Sequence, residues 1–542
     1  MFPSAHVDPF TRDNLPPPGR WPDFLLDRPE LRYPERLNCA VALLDGAVSA
    51  GHGDRVALRT DAASCTYRQL QAQVDRICRV LVEDLALVPG NRVLLRGPNS
   101  PMMAACWLAV IKCGLVAVAT MPLLRARELV PVIDKARVTA ALCDARLAEE
   151  MHLAQAQCPS LAQVLWFDDG DGTVDGARAG SLEARAAGKP ADFAGCDTAQ
   201  DDVALIAFTS GTTGQPKGTM HFHRDVLAMC DLFPRSVLRT HADDIYCGTP
   251  PLAFTFGLGG MLCFPMRVGA STLLLERASP DSLLAAIARH RATVVFTAPT
   301  FYRQMAARAG EFDLSSLRAS VSAGEALPDA TRQLWKQASG LEMIDGIGST
   351  ELIHIFISSP PESVRRGTIG RVIPGYEARI VDDAMRTLGA GEPGRLAVRG
   401  PTGCRYLADA RQAQYVRDGW NLTGDTFSMD ADGYFSYHAR SDDMIVSAGY
   451  NIAGPEVEAA LLTHEAVAEA GVIGVPDDER GTVVKAFVVL APGRIGDAAM
   501  ARALQDHVKA TIAPYKYPRA IEFRDALPRT ETGKLQRFRL RD

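Results

Sequence analysis

Residues 208–225 read FTSGTTGQPKGTMHFHRD, a run of small and hydroxylated residues closed by a single lysine. The preceding stretch, Val203–Phe208, is short and apolar and predicts a buried strand. It runs directly into Thr209, Ser210, Gly211, Thr212, Thr213 and Gly214. Glycines let backbone N–H groups turn inward without a Cβ clash. The hydroxyls add donors and Lys217 adds a cation, a set that suits the oxygens of a polyphosphate. Lys217 follows Pro216 and precedes Gly218, so the pattern of glycine, four residues and then Gly-Lys-Ser/Thr is absent. That argues against a lysine on a helix N-terminus, and so against a P-loop NTPase or kinase.

Outward from this stretch, short apolar runs alternate with longer amphipathic ones. Thr293–Thr297 followed by Phe301–Arg308 is one case, and Ala486–Ala491 is another strand-like tract. The alternation predicts βα units and a largely parallel sheet. Residues 170–200 are rich in Gly, Ala and Asp and predict a loose connection. Around 395–433, short strand-like pieces broken by Gly and Asp-Gly turns predict a small β-rich subdomain. Beyond Asp442 lies a compact tail with helices expected at Pro455–Leu462 and Ala498–Thr511.

A chain of 542 residues exceeds one ordinary core, so more than one domain is expected. Its 47% hydrophobic and 23% charged residues are ordinary for a globular protein, and a net charge of -6 offers nothing to nucleic acid. No basic block reads as a membrane patch. The long apolar run Met102–Leu123 is broken by Lys112 and Gly114, which predicts a buried helix followed by a strand, not a membrane span. The 12 cysteines form no C-x-x-C pair and the start lacks a signal pattern, so reduced thiols in a cytoplasmic protein are expected.

The stretch TSGTTGQPKG resembles the signature loop of the adenylate-forming enzymes: acyl- and aryl-CoA ligases, luciferases and peptide-synthetase adenylation domains. Further similar motifs follow in the family's order: SAGEAL (Ser322–Leu327), DGIGSTE (Asp345–Glu351), NLTGD (Asn421–Asp425), ARSDDMIVSAGYNIAGPEVE (Ala439–Glu458) and PRTETGKLQR (Pro528–Arg537). The similarity spans Thr66 to Arg539. It implies an α/β fold: a large N-terminal domain (1–441) of two βα-type sheet subdomains plus a small β-barrel subdomain. A small mobile α+β C-terminal domain (442–542) follows.

The resemblance also implies ATP, Mg2+ and coenzyme A, and a reaction in two steps. A carboxylate attacks the α-phosphate of ATP to give an acyl-adenylate and pyrophosphate; a thiol then displaces AMP. By that likeness Thr209–Gly214 and Lys217 hold the phosphates, Glu351 binds Mg2+ and Thr350 donates to the α-phosphate. Gly324, Glu325 and Ala326 lie along adenine, with Asp345 and Gly346 on its other side. Asp425 takes the ribose hydroxyls and Arg440 a ribose or phosphate oxygen. Lys534 sits over the carboxylate and α-phosphate. Asp442 is the hinge, and Ala448 and Gly449 leave room for the pantetheine arm. Ala439 departs from the family in standing where a glycine commonly precedes the arginine.

PPLAFTFGLGG (250–260) matches the stretch that borders the acid. By the same likeness, Phe254 stands where many members have His, Phe256 would face the acid or else pack in the core, and Gly257 and Gly259 would open space; Leu352, His354 and Ile355 are wall candidates. No carboxylate is present to hold an α-ammonium, which argues against amino-acid activation. An aromatic, glycine-rich wall suits a flat ring. The chain looks like the benzoate-type aryl-CoA ligases, closest to the 2-aminobenzoate-CoA ligases, with an aromatic carboxylic acid as substrate. A short or medium aliphatic acid, or a non-catalytic nucleotide-binding relative, stays open on sequence alone. So does a homodimer. His221 and His223 lack the further ligands a metal pair needs; His223 is a lesser candidate for the acid pocket.

Overall fold

The computed structural model describes every residue except 168–179, 210–214, 325, 326, 328, 441–443, 448, 478, 479, 529–536, 541 and 542. Two large sheets dominate it. The first has six strands in the order Gln163–Phe167, Ala140–Asp144, Arg92–Arg96, Val116–Thr120, Val203–Thr209, Lys217–Phe222. All neighbours run parallel except the last pair. The second has nine strands, parallel from Val56–Arg59 to Ile344–Gly348 and closed at both ends by antiparallel edges.

Strand alternation decides which core each residue joins. Val93, Leu95, Ala117 and Leu142 face a core shared by the two sheets and their helices. Their neighbours Leu94, Val116, Val118, Ala141 and Cys143 face a second core on the opposite side. The helix Pro101–Lys112 is buried on all sides, which is why its sequence reads like a span. Ser100 Oγ accepts from Met103 N at 3.1 Å to start it. Its last residue, Lys112, is paired with Asp45 and Asp75 at 2.6 Å each. The expected helix-then-strand reading holds, with Val116–Thr120 following. Among the described residues no helix is long and apolar enough to cross a membrane, and all twelve cysteines are free thiols.

The stretch expected as a loose connection carries a helix of its own, Leu182–Ala187. Ser181 Oγ accepts from Ala184 N at 3.3 Å, a cap that composition alone hides. The small β region is a five-stranded antiparallel sheet whose ladder branches at Trp420–Met429 instead of closing on itself as a barrel does. The C-terminal domain holds a two-stranded ribbon (Met444–Ser447, Tyr450–Ala453) and a three-stranded sheet (Val467–Asp477, Gly481–Leu490, Ala520–Phe523). Helices Gly454–Leu461 and Ala498–Thr511 pack on them around Ile445, Ile452, Val484 and Leu504.

Candidate active site

Strands of both large sheets end at one cleft of about 1170 Å³. Thr120, Asp144 and Thr209 border it from the first sheet, and Thr249, Ala298, Ala323 and Gly348 from the second. Open α/β sheets bind ligands beyond the carboxyl ends of their strands. Of the sequence candidates, Thr209, Gly324, Thr350, Phe254, Phe256, His354, Ile355 and Gly449 line this cleft.

At one end, the register pairs Thr209 with Lys217 and Phe208 with Gly218 across the last two strands of the six-stranded sheet. These two strands therefore pair as the arms of a hairpin, and Lys217 stands at the start of the second, as its place between Pro216 and Gly218 requires. A Cβ on Gly218 would meet the Ile206 and Phe208 side chains at 2.9 Å. Ser210, Gly211, Thr212, Thr213 and Gly214 lie outside the described residues.

Lys217 Nζ is 3.9 Å from Glu351 Oε1 and 5.4 Å from the centre of the Tyr406 ring. Tyr406 donates its hydroxyl to the same Glu351 oxygen at 2.5 Å. Burial, then the Glu351 carboxylate, push the Tyr406 hydroxyl far above its ordinary value, so it remains a donor. Among the described residues Glu351 Oε2 has no hydrogen-bond partner. The turn that carries Glu351 is fixed at each step. His221 Nε2 donates to the Thr350 carbonyl at 2.7 Å, Thr402 donates to that of Leu352 at 2.8 Å, and Ile353 has φ +66°. Behind the hairpin, buried Arg405 pairs with buried Asp225, which also accepts from Phe222 N at 2.8 Å.

Gly324 follows the strand Ala319–Ser322 with φ +90°. On the neighbouring strand Ile344–Gly348, it is Gly348 that lines the cleft, not Asp345 or Gly346. Asp345 turns inward: Oδ1 accepts from Gly346 N at 3.0 Å, and Arg332 lies 4.0 Å from Oδ2. Burial pushes its carboxyl up to about 7, with Arg332 pulling the other way. Gly346 lies against Ile355, whose Cδ1 would be 2.7 Å from an added Cβ. Glu325 and Ala326 lie outside the described residues. Asp425 and Arg440 are register partners on adjacent strands of the branched sheet, and Asp425 is not among the described residues that line the cleft.

At the other end the cleft is aromatic. Phe256 stands 5.5 Å from the Phe296 ring and 5.7 Å from that of His354, centre to centre. Burial lowers the His354 imidazole to about 3, against the Phe256 carbonyl that it meets at 3.4 Å, so the ring is neutral. Phe254, 38% exposed, stands at the mouth just before the helix Thr255–Leu258. Asn99 pins the Pro250–Leu252 loop from both sides: it donates to the Pro250 carbonyl at 3.0 Å and accepts from Leu252 N at 2.8 Å.

Two glycines do not open the pocket as expected. A Cβ on Gly257 would sit 2.0 Å from the Pro251 carbonyl oxygen, and one on Gly259 2.5 Å from His354 Cδ2. Their smallness is taken up by tight packing of the helix on the Pro-Pro loop and on His354. His223 is also placed elsewhere. It is fully buried, its Nδ1 accepts from Cys39 N at 3.1 Å, and burial holds its ring at about 3. No group of three or more His, Cys, Asp or Glu suited to a metal occurs among the described residues.

The C-terminal domain closes the cleft with Gly449, Tyr450, Arg480 and Tyr515. Gly449 has φ +80°, and its Cα is 4.0 Å from where a Cβ on Gly324 would be. The Tyr450 and Tyr515 rings stack at 4.2 Å. Asp442, Ala448 and Lys534 lie outside the described residues.

Tyr406, Asn99 and His221 were not among the sequence candidates for this site. Each acts on a partner far along the chain, 55, 153 and 129 residues away respectively, and a lone Tyr, Asn or His carries no spacing signature.

The chain matches the family model described as AMP-binding enzyme over residues 47–406, and that of the AMP-binding enzyme C-terminal domain over 456–534. It is 36% identical over 522 residues to a benzoate–CoA ligase of Thauera aromatica, covering 95% of this chain and 97% of that protein. Among solved structures, an anthranilate CoA ligase, AuaEII, in complex with anthranoyl-AMP aligns at 34% identity and a TM-score of 0.72, covering 95% of this chain and 98% of the other. The amide bond synthetase McbA from Marinactinospora thermotolerans aligns at 29% identity and a TM-score of 0.83, covering 93% and 99%. With most of its length matched by these models and by relatives that it covers almost end to end, the chain belongs to the AMP-binding enzyme family.

Proposed function

We propose that the protein is an ATP-dependent, AMP-forming aryl-CoA ligase acting on benzoate or a ring-substituted benzoate such as 2-aminobenzoate. The observation that carries this reading is one cleft with opposite ends. Thr209 and Thr350, neighbours of the Lys217–Glu351 pair, border one end, and a neutral aromatic wall of Phe254, Phe256 and His354 borders the other. A carboxylate acid would place its ring on that wall and its oxygens toward the phosphates.

The residues give each step a source of stabilisation. Thr209, Ser210–Gly214 and Lys217 receive the triphosphate, and Thr350 donates to the α-phosphate as charge gathers there. The freedom of Glu351 Oε2 fits a hard divalent cation that draws its other ligands from phosphate oxygens and water. Mg2+ bound there would neutralise phosphate charge. Adenine lies by Gly324, Glu325 and Ala326 and the strand of Asp345 and Gly346; ribose meets Asp425 and Arg440. Lys534 approaches the acid and α-phosphate during adenylation, and a turn at Asp442, the boundary we assign between domains 1–441 and 442–542, then removes it. The orientation described above, with Gly449 at the cleft, is the one that suits entry of the CoA thiol past Ala448 and Gly449. A cytoplasmic setting, where ATP and CoA are available, accords with this chemistry.

Pyrophosphate release and CoA consumption measured across benzoate, 2-aminobenzoate, hexanoate and acetate test the reading. Aromatic acids should be turned over far better than the aliphatic pair. A response to the aliphatic acids alone would overturn it.

A further inference from the structure

Where the C-terminal domain meets the large domain, three charged side chains are buried together. Lys516 Nζ lies 2.6 Å from Glu128 Oε1 and 2.7 Å from Glu456 Oε1. Their side chains are only 5%, 8% and 16% exposed for Lys516, Glu128 and Glu456. Glu128 belongs to the helix Ala126–Ala136 of the large domain. Glu456 belongs to Gly454–Leu461, and Lys516 ends the short turn Pro514–Lys516, both in the C-terminal domain.

Other contacts converge on the same spot. Glu128 Oε2 accepts from Arg125 N at 2.9 Å within its own helix start and from Ala513 N across the seam at 3.1 Å. Arg125 Nη2 donates to the Lys509 carbonyl at 3.0 Å, also across the seam. A single helix start of the large domain thus receives the end of Ala498–Thr511 and the turn that follows it.

A buried charged seam differs from an apolar one. Once formed it is intolerant of losing one partner, because a bare carboxylate stays behind. On opening, water re-solvates all three groups, so the closed state gains little over the open one. Such a contact selects one orientation without trapping it, which a hydrophobic interface would do. The seam also borders the cleft that holds Gly449 and Tyr450.

We infer that Glu128, Lys516 and Glu456 form an ion-pair clasp that holds the C-terminal domain in the orientation for thiol transfer and lets go for adenylation. The inference rests on the two-step ligase reading given above. The three residues are positioning residues, remote in role from the reacting atoms.

The test separates the half-reactions in the full-length enzyme. Acid-dependent exchange of pyrophosphate into ATP reports adenylation, and single-turnover transfer from preformed benzoyl-adenylate to CoA reports the second step. Lys516→Met and Glu128→Gln should each slow transfer by about tenfold or more, with exchange within about twofold of the parent. Lys516→Arg keeps a cation between the two carboxylates and should retain much of the transfer rate that Lys516→Met loses. Equal loss of both half-reactions, unchanged transfer, or transfer in Lys516→Arg as slow as in Lys516→Met would overturn the clasp. Failure of the parent enzyme to perform exchange with any acid would instead overturn the ligase reading itself.

Discussion

At the scale of single residues, the buried Asp345 carboxyl has the most direct consequence. Burial raises it to about 7 from an ordinary value of 3.8. The folded protein therefore keeps a proton that the unfolded chain has released between those two values. The stability this contributes is full below about pH 4 and is lost as pH rises through about 7. Asp345→Asn cannot titrate. Thermal midpoints measured from pH 5 to pH 8 should fall less steeply in the variant, with a relative gain at pH 8 on the order of a few kcal/mol. Parallel curves for the two proteins would contradict the placement of this carboxyl. The same residue shows the limit of motif reading. Its position in DGIGSTE was plain, yet only the fold reveals that its side chain turns toward Arg332 while Gly348, three residues on, reaches the cleft.

At the scale of elements, the helix Thr255–Leu258 is set by how closely it can lie on the Pro250–Pro251 loop. Gly257→Ala would drive a methyl group into the Pro251 carbonyl. Backbone cannot yield as a side-chain tip can, so the helix must shift and carry Phe254 and Phe256 with it. A loss of about 1–3 kcal/mol in urea unfolding is expected, together with a raised KM for the aromatic acid. An unchanged KM would show that the wall tolerates the shift. Elements were the level most legible in the sequence. Ala498–Thr511 was read to the residue, and Val203–Phe208 and Pro455–Leu462 to within one residue at each end, because period and capping are local. Leu182–Ala187 was missed, since six residues in a Gly-, Ala- and Asp-rich tract give no period to detect.

At the scale of the molecule, the proposed reaction has two domains serve one active site in turn. Lys534→Ala should suppress pyrophosphate release by several kcal/mol of barrier while leaving CoA transfer from preformed aryl-adenylate largely intact. Equal loss in both would contradict a rotating C-terminal domain. The pairing of sheets, the cleft between them and the contacts of Tyr406, Asn99 and Lys516 were not legible in the sequence. They depend on residues brought together from far apart, as Lys516 and Glu128 are across 388 positions, and topology alone supplies that closeness.

The segment Trp21–Leu25 carries this furthest. Asp23 N donates to the Gly419 carbonyl, Leu25 N to that of Gly400, and Arg399 reaches Asp23 across 376 positions. Trp21 and Phe24 meanwhile rest against each other, with Trp21 also on Phe222. The ring contact with Phe222 can form once the six-stranded sheet is made, whereas the backbone bonds to Gly400 and Gly419 wait on the branched sheet far along the chain. Full docking of this segment therefore waits for distant strands to form, which places it among the later, long-range events of folding.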